Sequence, residues 1–190
     1  AVHERNGRSG GNGSLMRTGP VALAHLDDPA ALVAAATAVS ALTHHDPQAG
    51  EACVLWCLAI RHAVLTGELD LWAGVDALPA GARDFWEQRL RAAETQEPAT
   101  FRPNGYVVTA LQAAWSAIRH TPGSGLVDSL STAILIGDDT DTVAAIAGAL
   151  LGARWGAGAV PGEWREILHG WPGLRAEDLA GLAVATVEPA

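Results

Sequence analysis

Apolar residues recur three and four apart through nearly every segment of this 190-residue chain, and runs of β-branched residues are rare. That spacing is the period of an amphipathic helix, so the chain reads as all-α. Two Asp-Pro pairs sharpen the reading. Asp28-Pro29 and Asp46-Pro47 each place an N-cap oxygen before a proline at the first helical position, where a missing N–H is harmless. The first of these helices is expected to end near Leu42, and the second to run through Trp56, Ile60 and Val64 to a stop at Gly67. Helical stretches follow over Tyr106 to His120, Leu126 to Leu135 and Val143 to Trp155. SLMRTGPVALAHL carries a helical pattern interrupted at Gly19 and Pro20. ELDLWAGVDALPAG reads as a loose connection, RDFWEQRLRAAETQ as a short solvent-facing helix, and EPATFRPNG as a surface loop.

About half the residues, 49%, are hydrophobic, enough for one core, so residues 1–190 are read as a single domain. A net charge of -9 with only 12 basic residues argues against nucleic acid or an anionic membrane as a partner, since both require clustered cations. Cys53 and Cys57 lie four apart on one helix face. They lack the partners of a zinc site and are poorly placed for a disulfide, so they read as small core residues in a reducing compartment. With no charged-then-apolar leader and no run of 18 uncharged apolar residues, the expected location is cytoplasmic.

The chemistry concentrates in IGDDTDT, Ile136 to Thr142, which runs directly into VAAIAGALLGARWG. If a helix starts near Thr140 with Asp139 at its N-cap, then Asp139, Asp141 and Thr142 can aim oxygen atoms into one cavity. Hard divalent ions such as Mg²⁺ take oxygen ligands of this kind, and the helix N-terminus favours ionised carboxylates. Ordinary capping would account for one or two of these residues. Behind them Gly148, Gly152 and Gly156 form a stripe open to a second backbone, and a buried central helix is expected there. In SGGNGSLMR, the glycines at 10, 11 and 13 free the backbone to approach a ligand and to take positive φ, and Asn12 and Ser14 add polar side chains. A flexible linker has the same composition. His44 and His45 close one helix just before the next begins. Either could cap the preceding carbonyls, or donate a hydrogen bond to a phosphate or ribose.

Taken together, GNGSLMRTGPVAL, LTHHDP, NGYVVTALQAAWSAI and IGDDTDTVAAIAGALLGARWGAGAVPGEW resemble consecutive blocks of the ADP-ribosylglycohydrolase family, in family order. The resemblance implies a compact multi-helix orthogonal bundle around a two-Mg²⁺ centre. It implies hydrolysis of an ADP-ribosyl N- or O-glycosidic bond, removing ADP-ribose from a modified protein or small acceptor. By the same resemblance Asp139, Asp141 and Thr142 match metal ligands, with Asp139 also the catalytic carboxylate. Ser9, Gly10, Gly11, Asn12 and Gly13 match the loop on the distal ribose and phosphates, and His44 and Tyr106 match ligand contacts. Asp138 stands where the family often has glycine, so its carboxylate either stays away from the metal or alters the charge there. The family's opening GDALG-like segment and early TDDT block, which supply half of the metal ligands and an acidic residue near the scissile bond, have no counterpart in these residues. The expectation is therefore a C-terminal portion of such an enzyme, without the N-terminal helices. Such a portion would expose apolar faces and either self-associate or pair with a partner carrying the N-terminal half. An incomplete fragment that only binds ADP-ribose is the alternative.

Overall fold

The structure, a computed structural model, describes residues 9–121, 123 and 125–187. A single 3₁₀ turn, Leu15–Arg17, leads into α1 (Gly19–Leu23). Gly19 and Pro20 thus open a helix and do not interrupt one, because proline's fixed φ suits the first turn. In α2 (Pro29–Ala41) the Asp28 carboxylate accepts from the N–H groups of Ala30 at 3.0 Å and Ala31 at 2.9 Å. Asp46 caps α3 (Pro47–Thr66) through the Gln48 N–H at 3.1 Å, and Gly67 ends it at φ 75°, returning its N–H to the Ala63 carbonyl. Both Asp-Pro starts and the Gly67 stop fall where the sequence puts them.

α3 is the centre of the molecule. Every residue from Ala52 to Ile60 is buried, and α1, α2, α5 (Val107–Arg119) and α7 (Thr140–Trp155) all pack on it. By length and hydropathy this helix could cross a membrane, but 61% of its apolar window is already buried inside the fold. The largest buried side chains include Trp56, Trp86 and Trp115. Each indole N–H finds an acceptor: Trp56 the Ile146 carbonyl at 3.0 Å, Trp86 the Glu51 carboxylate at 2.8 Å, and Trp115 the Glu94 carboxylate at 3.1 Å. These bonds tie α3 to α7, α3 to α4 (Ala80–Thr95), and α5 to α4, and remove the penalty of burying a donor.

Several expectations are revised. The stretch expected to face solvent lies in α4, which buries Trp86, Leu90 and Ala93 along one face and keeps only its charged face in water. The loose connection contains a 3₁₀ helix, Trp72–Ala77, pressed so closely on α3 that a Cβ at Gly74 would sit 3.2 Å from Leu58. The glycine stripe of α7 is no backbone seam. A methyl at Gly148 would touch Leu130 of α6 (Gly125–Leu135) at 3.6 Å, but Gly152 and Gly156 have open space. α7 buries one face only, from Thr142 through Ile146 to Leu151, so the buried central helix is α3.

Beyond Trp155 the chain lies mostly on the surface. α8 (Gly162–Ile167) and α9 (Ala176–Val187) flank a two-residue hairpin in which β1 (His169–Gly170) pairs antiparallel with β2 (Leu174–Arg175). This hairpin is too small to change the all-α class. An Arg165–Glu177 pair at 2.8 Å links α8 to α9.

Candidate functional site

Four separate segments meet at one end of the bundle. The acidic turn comes first: α7 starts at Thr140 with Asp139 at the N-cap, but the Asp139 side chain makes no capping bond. Another loop holds the N–H of the N-cap residue itself. Asn104, wholly buried, accepts the Asp139 N–H on Oδ1 at 2.9 Å and donates from Nδ2 to the Gly137 carbonyl at 3.0 Å. The Asp139 carboxylate, close to the Thr142 N–H, accepts from Asn12 Nδ2 at 2.7 Å, and Asn12 also donates to the Asn104 carbonyl at 3.0 Å.

The Asn12 amide holds the Asp139 carboxyl below the ordinary carboxylate range; burial opposes it, while the Thr142 hydroxyl and the neighbouring Asp141 add to it. Thr142 is buried, its hydroxyl 3.8 Å from the Met16 sulfur, and Asp141 is exposed. Asp138 is elsewhere. Arg102 donates to both of its oxygens, from Nε at 3.0 Å and Nη2 at 2.8 Å, which holds its carboxyl below the usual range. Asp138 is thus engaged by Arg102 through its carboxylate. Its φ of 61° lies in the left-handed region, which explains a preference for glycine at this position.

The glycine loop lies alongside. Gly11 bridges Tyr106 in antiparallel fashion, the Val107 N–H donates to the Gly10 carbonyl at 2.8 Å, and the Asn12 N–H donates to the Gly105 carbonyl at 3.2 Å. A Cβ at Gly10 would be 2.9 Å from the Tyr106 ring and 3.1 Å from the Asp46 carboxylate. One at Gly11 or Gly13 would lie 3.4 Å from His44 Nε2. None of these three glycines takes positive φ, contrary to expectation: they are needed for close approach, not for backbone freedom. Ser9, half-buried, opens the loop. Ser14 points inward, where it meets Ser40 at 3.0 Å and Cys53 at 3.6 Å, and is no ligand group.

His44 is half-buried against the loop and its pKa is lowered by burial and then by the charge of Arg17; His45 is exposed. The Tyr106 hydroxyl donates to Gln48 Oε1, and burial, with the Asp46 charge, raises its pKa. Cys53 and Cys57 are unpaired thiols packed under the loop. Burial raises the pKa of both, that of Cys57 to about 12, which favours the neutral thiol.

Ser9 to Gly13, His44, Tyr106 and Asp139 to Thr142 are thus brought together. Asn104, Arg17 and Thr43 were missed by sequence reasoning. Asn104 lay in plain view in the RPNG turn, but Asn-Gly in a loop ordinarily signals only the turn itself. A crevice of about 320 Å³ between α1 and the end of α9, lined by Leu23, Leu26, Leu65 and Val187 among others, shares no residue with this cluster.

Among the described residues no group of three His, Cys, Asp or Glu side chains is placed to hold a metal ion. The oxygen set is smaller: Asp139, Asp141 and the Thr142 hydroxyl. Its chemistry fits a hard cation as part of a larger site, since all three donors are oxygen and the Asn12 amide favours the ionised form of Asp139.

An all-α bundle with a glycine loop bonded to an aspartate-rich helix start defines the class. The family model described as ADP-ribosylglycohydrolase matches residues 1–189, and the chain belongs to that family. It is 30% identical over 159 residues to the ADP-ribosyl-[dinitrogen reductase] glycohydrolase of Rhodospirillum rubrum, covering 81% of this chain and 49% of that protein. It is 29% identical over 160 residues to the ADP-ribosylarginine hydrolase Tri1 of Pseudomonas putida (strain GB-1), covering 82% of this chain and 41% of that protein. A solved structure described as an ADP-ribosylglycohydrolase-related protein complex superimposes with a TM-score of 0.72 at 28% identity, covering 98% of this chain and 65% of that one. The chain spans less than half the length of these two curated relatives.

Proposed function

We propose that this chain supplies the phosphate loop and one side of the metal site for Mg²⁺-dependent hydrolysis of an ADP-ribosyl N- or O-glycosidic bond, releasing ADP-ribose from a modified protein or small acceptor. The observation that carries the reading is the Asn12–Asp139 bond of 2.7 Å, which couples the glycine loop to the acidic turn. Two of the relatives bear names that describe glycohydrolase action on ADP-ribosylated dinitrogen reductase and ADP-ribosylarginine.

Asp139, Asp141 and Thr142 would hold a Mg²⁺ ion, which when bound supplies Lewis-acid polarisation of substrate oxygen. Asp139, ionised at neutral pH, orients an attacking water and takes its proton as positive charge develops at the anomeric carbon. The backbone from Ser9 to Gly13 receives the diphosphate, with His44 and Tyr106 beside it. A cytoplasmic setting belongs to the proposal, because both cysteines are free thiols.

The test is release of free ADP-ribose from ADP-ribosylated arginine and serine peptides, in Mg²⁺ and in excess chelator. Release is expected to require Mg²⁺ and to fall to background in Asp139→Ala and Asp141→Ala; turnover retained in both variants would sink the assignment. The small oxygen set favours a second reading, an ADP-ribose-binding or assembly fragment completed by a partner that brings the remaining ligands. Calorimetric binding of ADP-ribose at saturating Mg²⁺ with no hydrolysis, restored to turnover by a polypeptide carrying the rest of the family domain, would select it.

A further inference from the structure

His44 reaches the glycine loop through a hydrogen-bond chain that starts on a cation. Arg17 Nη2 donates to Thr43 Oγ1 at 2.6 Å, and Thr43 Oγ1 lies 2.7 Å from His44 Nδ1. A guanidinium can only donate, so the Thr43 oxygen accepts from Arg17, which favours turning its own hydroxyl proton toward a second partner. His44 Nδ1 is the protein acceptor within its reach among the described residues. With Thr43 as the donor in this contact, Nδ1 is bare and the proton of the neutral ring sits on Nε2. That nitrogen faces the loop, 3.4 Å from where a methyl would stand at Gly11 or at Gly13.

Arg17 is held in place as well. Its Nη1 donates to the Gly13 carbonyl at 3.3 Å, and both of its acceptors are uncharged. The His44 backbone N–H returns to the Ser40 carbonyl at 3.0 Å, which fixes the main chain from which the ring projects at the end of α2.

We infer that Arg17 and Thr43 are positioning residues that lock His44 as its Nε2–H tautomer, so that it presents a neutral N–H donor to a phosphate oxygen seated on the glycine loop. The ligand part of this inference rests on the proposed ADP-ribose reading; the tautomer part does not. A neutral donor suits this position. Burial and the Arg17 charge keep the imidazole unprotonated at neutral pH, and an N–H donor persists as pH rises. The bond from Thr43 thus selects which nitrogen can serve the ligand, a role the adjacent Arg17 could not perform by charge alone.

The experiment is ¹⁵N NMR of the histidine rings in the whole chain, with titration of ADP-ribose into wild type, Thr43→Val, Thr43→Ser and Arg17→Met. Wild-type His44 is expected to show a bare Nδ1 and a protonated Nε2 whose signal moves on adding ADP-ribose. Thr43→Val should mix the tautomers and weaken ADP-ribose binding about tenfold, the equivalent of one lost hydrogen bond. Arg17→Met should also mix them, and Thr43→Ser should restore both readouts. A wild-type ring protonated on Nδ1, or a tautomer unchanged in Thr43→Val, overturns the relay. Binding that shifts the Gly11 and Asn12 amides but leaves His44 Nε2 unmoved overturns its ligand role. No ADP-ribose binding by any variant, with the tautomer as expected, overturns the ADP-ribose reading and leaves the relay standing.

Discussion

At the scale of single residues, the site depends on two asparagines that hold one aspartate. Asn104 binds the Asp139 N–H, and Asn12 binds its carboxylate. Asn12 is nearly buried and donates both to Asp139 and to the Asn104 carbonyl. Asn12→Ala should therefore destabilise the fold by about 1–3 kcal/mol at neutral pH, the range for losing a partner to a charged group and leaving a carbonyl unpaired. The effect has a definite pH dependence. Asp139 has a folded pKa below its ordinary 3.8, so its bond contributes fully above that value and is lost as pH falls through the folded pKa. Urea midpoints of wild type and Asn12→Ala should be well separated at pH 7 and closer near pH 3. An equal separation at both would mean that Asn12 acts through packing alone.

At the scale of elements, the start of α7 is a strained turn stabilised from outside. Gly137 at φ 90° and Asp138 at φ 61° are consecutive left-handed residues, and the Arg102 guanidinium lies against both. Glycine at 138 relieves the backbone but gives up an exposed ion pair, which contributes little in water. Asp138→Gly should keep or raise the melting temperature, whereas Asp138→Val, branched at Cβ in the same conformation, should lower it. Thermal unfolding by circular dichroism checks the pair; equal losses in both would assign the turn's stability to Arg102. The same turn shows what sequence makes legible. Asp28, Asp46 and Gly67 act on their own helices, so their roles can be read locally. IGDDTDT likewise announced α7 and its oxygen donors. Asn104 acts on a turn some 35 residues away, and Arg17 on Thr43 at a separation of 26, so composition and periodicity carry no trace of either. The glycine loop was legible as a loop, but the reason for its glycines became clear only from the Tyr106 and His44 rings packed against it.

At the scale of the whole molecule, the polarity of the surface is uneven. The core around α3 is satisfied, and among the described residues no buried side-chain nitrogen or oxygen lacks a partner. The segment beyond α7 is different: Trp171 is 90% exposed and Ile167 72%, and Leu135, at the end of α6, is 84% exposed too. Leu168, Leu179, Leu182 and Val184 are exposed as well. Apolar groups at this density favour association, since each buried Å² contributes about 25 cal/mol. A net charge of -9 opposes contact between copies, and its repulsion is screened by salt. Association should therefore strengthen with both concentration and ionic strength, the opposite of a charge-driven contact. Light scattering across a salt series is expected to show a rising mass for wild type and a smaller rise for an Ile167→Ser, Trp171→Ser double variant of unchanged helicity. Mass that stays at 19.6 kDa throughout would mean that this apolar surface is tolerated in water, and the case for a covering partner would lose its energetic basis.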